Sequence, residues 1–385
     1  MRLPDDAGDL SAAVEIDNSL HGKAAIPLTL RTLLSTGNDG GAFSGFITGG
    51  NGRGNVGEQT QTYVFDVPKG KKDLGIDLNL KGDPNQQVFA ALLSPDHQVL
   101  SLTTNDGTKS LQGYVRDPAP GRWLLFVNVN NPVAGTAIAD KFTGHLRFNL
   151  VDIKASGVPA GKVPAGKPIT ATVTVKNTGA AAAAFFADPR RNTLVDVDLV
   201  TQLGTSPNAT IPFDVSALGP TWLVPTQTRT LTFEQSSTVP ADFDVSTLIN
   251  GVPELYGAPQ GLTALATLSA DRVSQGLWSA QPTALGPTNG PVTGTVHYDV
   301  VAHTKAFDDT VTSTTGDAWL FANHADTPFS PLVLQPGQTG TITVTFTPTG
   351  AAGTTVSGVL YVDTFSASVL NGDELIAIPY SYTIG

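Results

Sequence analysis

Between Tyr63 and Val127 the chain writes one strand after another with turn residues between them, which leaves it few folds. Tyr63-Val64-Phe65-Asp66-Val67 ends at Pro68-Lys69-Gly70, and Leu74, Ile76, Leu78 and Leu80 then recur at every second position. An apolar run at Val88–Leu93 follows, then the turn Ser94-Pro95-Asp96, and Pro120-Gly121-Arg122-Trp123 leads into Leu124–Val127. A period of two marks strands with one face buried. Turn signals at intervals of about 8–12 residues are the pattern of a β-sandwich. No helical period interrupts the run.

The pattern extends through the chain, whose 385 residues suffice for about three domains of ~100–150 residues. In residues 1–36 one strand is clear, at Ala25–Leu34, with Ile26, Leu28 and Leu30 alternating. A lone strand is not stable, so it must pair with a later domain or end an earlier one. The Gly/Asn-rich stretch Gly37–Gly57 reads as loops around a short strand at Phe43–Thr48. Residues 37–156 then form a first, jelly-roll-like sandwich, and Val158–Gly166 is a Pro/Gly/Ala linker. Alternating Ile169, Ala171, Val173 and Val175 open a second domain, 157–282, with one helical turn expected at Asp244–Asn250. Strands at Gly294–Ala302, Thr339–Thr347, Ser357–Thr364 and Glu374–Ile384 define a third, 283–385. Pro164-Ala165-Gly166 before alternating Thr/Val is echoed by Pro336-Gly337-Gln338 before Thr341–Phe346, as if two sandwiches were built alike. The expected fold class is all-β: tandem β-sandwiches, the last two immunoglobulin- or fibronectin type III-like.

Composition narrows the setting. Charged residues are 14% of the chain, against about 25% in an average globular protein, and Thr, Ser, Gly, Ala and Pro fill the gap. That suits an exported, extracellular or cell-surface protein. The absence of cysteine excludes disulfides, thiolate zinc sites and cysteine nucleophiles. A net charge of −11 argues against nucleic acid as a partner. No apolar run approaches the ~20 residues of a membrane span. Met1–Asp6 carries no signal region, so the chain reads as a fragment of a secreted protein.

Few residues invite chemistry. The six histidines (21, 97, 145, 297, 303 and 324) lack the paired spacing of a zinc helix, although His297 and His303 are placed to share a strand face. Asp83, Asn85, Asp96 and Asp106 lie in loops whose oxygens suit calcium, but the ordered loop motif is missing and turn chemistry is the default. Asp308, Asp309 and Asp317 receive the same reading, and Lys69-Lys71-Lys72 and Arg190-Arg191 read as solvated turns. Of the tryptophans, Trp123 is expected in a core; Trp222 and Trp319 are the candidates for an exposed binding platform, with core the default. No cofactor is implied.

Two layers of family likeness rest on these segments. Tyr63-Val-Phe-Asp-Val-Pro-Lys-Gly, Leu92-Leu-Ser-Pro-Asp and Pro120-Gly-Arg-Trp-Leu-Leu-Phe-Val resemble the bacterial pre-peptidase C-terminal domain, with Asp96-His97 in place of the common Asp-Gly. From about residue 25 to 385, the order of segments resembles the C-terminal region of actinobacterial subtilisin-like serine peptidases. The segments include Ile26-Pro-Leu-Thr-Leu-Arg-Thr-Leu, Phe142-Thr-Gly-His, Val175-Lys-Asn-Thr-Gly, Trp222-Leu-Val-Pro-Thr, Thr314-Thr-Gly-Asp and Leu360-Tyr-Val-Asp-Thr-Phe. The resemblance implies a secreted protease as parent and its catalytic domain as partner. No catalytic residue carries over: His21-Gly22-Lys23 and Gly204-Thr205-Ser206 resemble only the first residues of the subtilase histidine and serine blocks, and no Asp-Thr-Gly or Asp-Ser-Gly supplies the acid. The chain is therefore expected to be a non-enzymatic accessory region, acting in stability or in binding protein substrate or the cell surface. The alternative is a stand-alone adhesion or carbohydrate-binding module holding a cell-wall polymer.

Overall fold

The computed structural model describes residues 8–18, 22–48, 60–80, 87–97, 99–101, 103–105, 110–131, 139–149, 151–179, 182–202, 208–212, 219–247, 253–269, 273–285, 293–323, 327–367, 370 and 372–385. Their regular structure is β-strand apart from one short helix, arranged as tandem sandwiches in two compact units, Met1–Leu150 and Val151–Gly385.

The first unit contains β1 (Gly8–Asn18), β2 (Gly22–Thr32), β3 (Gly40–Thr48), β4 (Thr60–Val67), β5 (Asp73–Leu80) and β6 (Gln87–Leu93). It continues with β7 (Val99–Ser101), β8 (Thr103–Asn105), β9 (Ser110–Arg116), β10 (Gly121–Asn131) and β11 (Ala139–Phe148). One sheet has the order β4-β10-β6-β7 and the other β3-β11-β5-β9-β8. The alternation works as the sequence predicts: Tyr63, Phe65 and Val67, Leu74, Ile76 and Leu78, and Trp123, Leu125 and Val127 all point into one core. Trp123 is buried and donates its indole N–H to Ala119 O at 2.9 Å. The strand expected near Ala25–Leu34 is β2, and its partner is β1, for which the sequence carried no clear signal.

The second unit begins with β12 (Val151–Ser156), β13 (Ala160–Val163), β14 (Ile169–Asn177) and β15 (Ala183–Asp198). Next come β16 (Asn208–Pro212), β17 (Thr221–Val224), β18 (Thr228–Ser237), β19 (Ala241–Thr247), β20 (Pro253–Tyr256) and β21 (Ala258–Gln260). They are followed by β22 (Thr263–Ser269), β23 (Gly276–Ala284), β24 (Thr293–Phe307), β25 (Val311–Ser313) and the helix α1 (Ala318–Asn323). The last strands are β26 (Leu332–Leu334), β27 (Thr339–Phe346), β28 (Thr355–Thr364) and β29 (Glu374–Ile384).

Strand pairing here crosses the domain boundary expected near residue 282. β12-β14-β27-β25 form one sheet, and a ten-stranded sheet runs β13-β29-β28-β15-β24-β18-β22-β21. The 16-residue β15 belongs to two sandwiches. Its first part, Phe185–Arg191, pairs with β28, and after an irregularity Leu194–Asp198 pairs with β24. A host sandwich is thus made from both ends of the unit. A second sandwich, closed by the sheet β17-β23-β19-β20, is inserted between β15 and β24. The domains are therefore not 157–282 and 283–385 in series but one inside the other. The first unit also ends earlier than residue 156, because β12 pairs with β14. At 244–250 the expected helical turn is strand as far as Thr247, and residues 248–250 lie outside the described residues.

Candidate functional site

The residues that the sequence marks as candidates are scattered by the fold and do not meet in one site. Asp83, Asn85 and Asp106 lie outside the described residues, as do His21, His324 and Gly204–Ser206. Asp96 is an exposed turn residue that accepts the Ser94 hydroxyl, and the turn closes with His97 N donating to Ser94 O at 3.1 Å. Among the described residues, no group of three or more His, Asp or Glu side chains is arranged to hold a metal ion.

The platform candidates are corrected by burial. Trp222 is 1% exposed and Trp319 0%, so neither offers a face to a sugar ring. Trp222 packs edge-on against Phe233 and Tyr298 in the core of the inserted sandwich. Trp319 lies among Phe186 and Phe365, where α1 packs against β15 and β17. Among the described residues, no helix is long and apolar enough to cross a membrane.

His297 and His303 do share a face of β24. Val296, Tyr298, Val300 and Ala302 fill the core of the inserted sandwich, which turns the odd-numbered residues outward. His303 Nδ1 meets Asp196 Oδ1 at 2.7 Å across the β15–β24 pair, and His297 Nε2 meets Asp299 Oδ1 at 3.1 Å. Six residues of strand separate the two rings by about 20 Å, too far to bind one ion. His145 makes a third such pair with Asp77, at 3.0 Å, in the first unit. A carboxylate on an imidazole is the orienting half of a hydrolytic triad. The face around His297 and His303 also carries Glu234 directly opposite Asp299, an arrangement of like charge that costs stability in a sheet.

Two polar networks inside the second unit escape a reading of the sequence. Asp308, a turn residue by its sequence context, is buried and accepts from Arg191 Nε at 2.7 Å, from Thr310 N at 3.1 Å and Thr310 Oγ1 at 2.6 Å, and from the Tyr380 hydroxyl. Burial, then the charge of Asp308, raises the Tyr380 phenol above its ordinary range. The second network centres on Arg190, expected in a solvated turn but 0% exposed. Its Nε donates to Asp188, its Nη1 to Lys305 O at 2.9 Å, and its guanidinium carbon lies 3.6 Å from the centre of the Phe307 ring. The only signal in the sequence was the spacing Asp188-x-Arg190, which puts an acid and a base on one strand face.

No family model matches this chain, and no curated protein matches it. Among solved structures it is similar to the ASH/PapD-like domain (PapD-like domain 7) of human CEP192, at 8% identity over 62% of this chain and 86% of that one, with a TM-score of 0.20. It is also similar to the M60 catalytic domain with the CBM51-1 and CBM51-2 domains from Clostridium perfringens ZmpB. That match has 8% identity and a TM-score of 0.18, and covers 78% of this chain but 42% of the other.

Proposed function

We propose that this chain is the non-catalytic accessory region of a secreted subtilisin-like serine peptidase, stabilising the protease and holding extended segments of its protein substrate. Support comes from the tandem sandwiches, in which motifs resembling pre-peptidase C-terminal and subtilase C-terminal segments act as strands and turns. Pro120-Gly121-Arg122-Trp123, for example, turns the chain into β10, with Gly121 at φ 129° and Trp123 in the core. Substrate is held by strand addition, in which an extended peptide completes the hydrogen bonding of a sheet edge. Edges of this kind end the sheets at β12 and β21, both largely exposed.

The purified chain is expected to bind unfolded casein without hydrolysing it, and measurable turnover would overturn the reading. The reading frame upstream of Met1 gives a separate test. Aspartate, histidine and Gly-Thr-Ser-Met-Ala blocks behind an export signal support the proposal, whereas an export signal directly before residue 1 removes the parent protease.

A further inference from the structure

The Arg190 network lies where the inserted sandwich meets its host, and its charges do not balance. Asp188 and Arg190 come from β15, Asp317 from the residue before α1, Asp363 from β28 and Glu374 from β29. The insert contributes the β17–β18 turn. Thr226 donates to Asp188 Oδ2 at 2.9 Å and lies 3.4 Å from Asp363 Oδ2, while Gln227 donates to Glu374. From β24, the Lys305 carbonyl holds Arg190, and the Lys305 ammonium donates to the Tyr361 hydroxyl at 2.7 Å. Trp319 donates its indole N–H to Asp363 Oδ2 at 2.8 Å, and Asp317 Oδ1 accepts the Trp319 and Leu320 amides at 2.8 and 3.1 Å.

Three deeply buried carboxyl groups therefore face one guanidinium. Asp188 and Asp363 are 0% exposed and Asp317 5%. With all three ionised the cluster would bury a net charge of about −2, at several kcal/mol for each uncompensated ion. The carboxyl oxygens point the same way: Asp317 Oδ2 and Asp363 Oδ1 are buried and receive no hydrogen bond. Burial with so few donors disfavours the charged form of a carboxyl group.

We infer that Asp317 and Asp363 form a proton-held joint, neutral while the inserted sandwich is locked to its host and opened when the carboxyl groups ionise. Loss of solvation, reinforced by the charge of Asp188, pushes both groups well above the ordinary carboxylate range. The direction follows from linkage. Groups that hold protons more tightly when folded stabilise the joint fully below their unfolded pKa, and that contribution is lost as pH rises through the folded values. The joint is closed in acid and loosens towards alkaline pH.

Hydrogen exchange on the full chain across a pH series, corrected for intrinsic exchange, tests this at amides 226–228 and 318–323. Opening should rise by about tenfold per pH unit for each of the two carboxyls above about pH 4, the unfolded range, and level off above the folded values, while strands β14 and β27 stay protected. Asp363→Asn and Asp317→Asn mimic the protonated groups and should each flatten that rise. Infrared spectroscopy of the wild-type chain is a second measurement that needs no variant. A protonated-carboxyl band at pH 7 supports the joint. Its absence, or joint amides that ignore pH, overturns it.

Discussion

Among the described residues of the second unit, Arg190 is a cation buried completely in the core. Arg190 is paired with Asp188, held by a carbonyl and stacked on Phe307, so its removal strands a carboxylate in the core. Arg190→Leu is expected to cost about 3–5 kcal/mol, read as a lower denaturant midpoint for the second unit. Asp373 gives a pH-dependent counterpart. Its carboxyl is pushed up to about 6 by loss of solvation. It therefore stabilises fully below about pH 4, near its unfolded value, and the benefit is lost as pH rises through about 6. Asp373→Asn should remove that part of the fall in unfolding free energy, and an unchanged profile between these limits would exclude Asp373 as its source. Neither residue was legible in sequence, because burial of a charged residue depends on partners distant along the chain, such as Lys305 for Arg190.

The strands themselves were legible, because a period of two is a local property. Their partners were not. The echo between Pro164-Ala165-Gly166 and Pro336-Gly337-Gln338 marks adjacent strands of one sheet: β14 and β27 pair from Ile169↔Phe346 to Lys176↔Thr339. Their alternating Val and Thr look alike because they line the same core and the same outer face. In the first unit, β3 and β11 pack glycine beside aromatic rings, with Gly45 opposite Phe142 and Gly144 opposite Phe43. A Cβ on Gly144 would come within 2.1 Å of the Phe43 ring, which is itself wedged against Tyr63 at 4.6 Å between centroids. Gly144→Ala should therefore destabilise the first unit by about 1–3 kcal/mol through overpacking, with a lower melting temperature as the readout.

For the molecule as a whole, the interleaved sandwiches set what can fold alone. The segment 157–282 retains β14 and β15 but lacks β27, β28 and β24, the strands on which they pair. Expressed alone, it should show neither the dispersed amide signals nor the cooperative melting of a folded domain, whereas 151–385 should show both. A folded 157–282 segment would mean that the shared sheet is dispensable. The boundary near 282 looked natural in sequence because Pro/Gly-rich residues punctuate that region too, and punctuation does not reveal whether a chain returns to an earlier sheet.

That return also determines how the second unit bears load. β13, close to its start, lies parallel to β29, its final strand, from Ala160↔Ser381 to Val163↔Ile384. Opposed tension on Ala160 and Gly385 pulls two parallel neighbours past each other, so the rungs between them are strained together in shear rather than peeled one at a time. Force entering the second unit through these two strands would meet concerted resistance at this clasp.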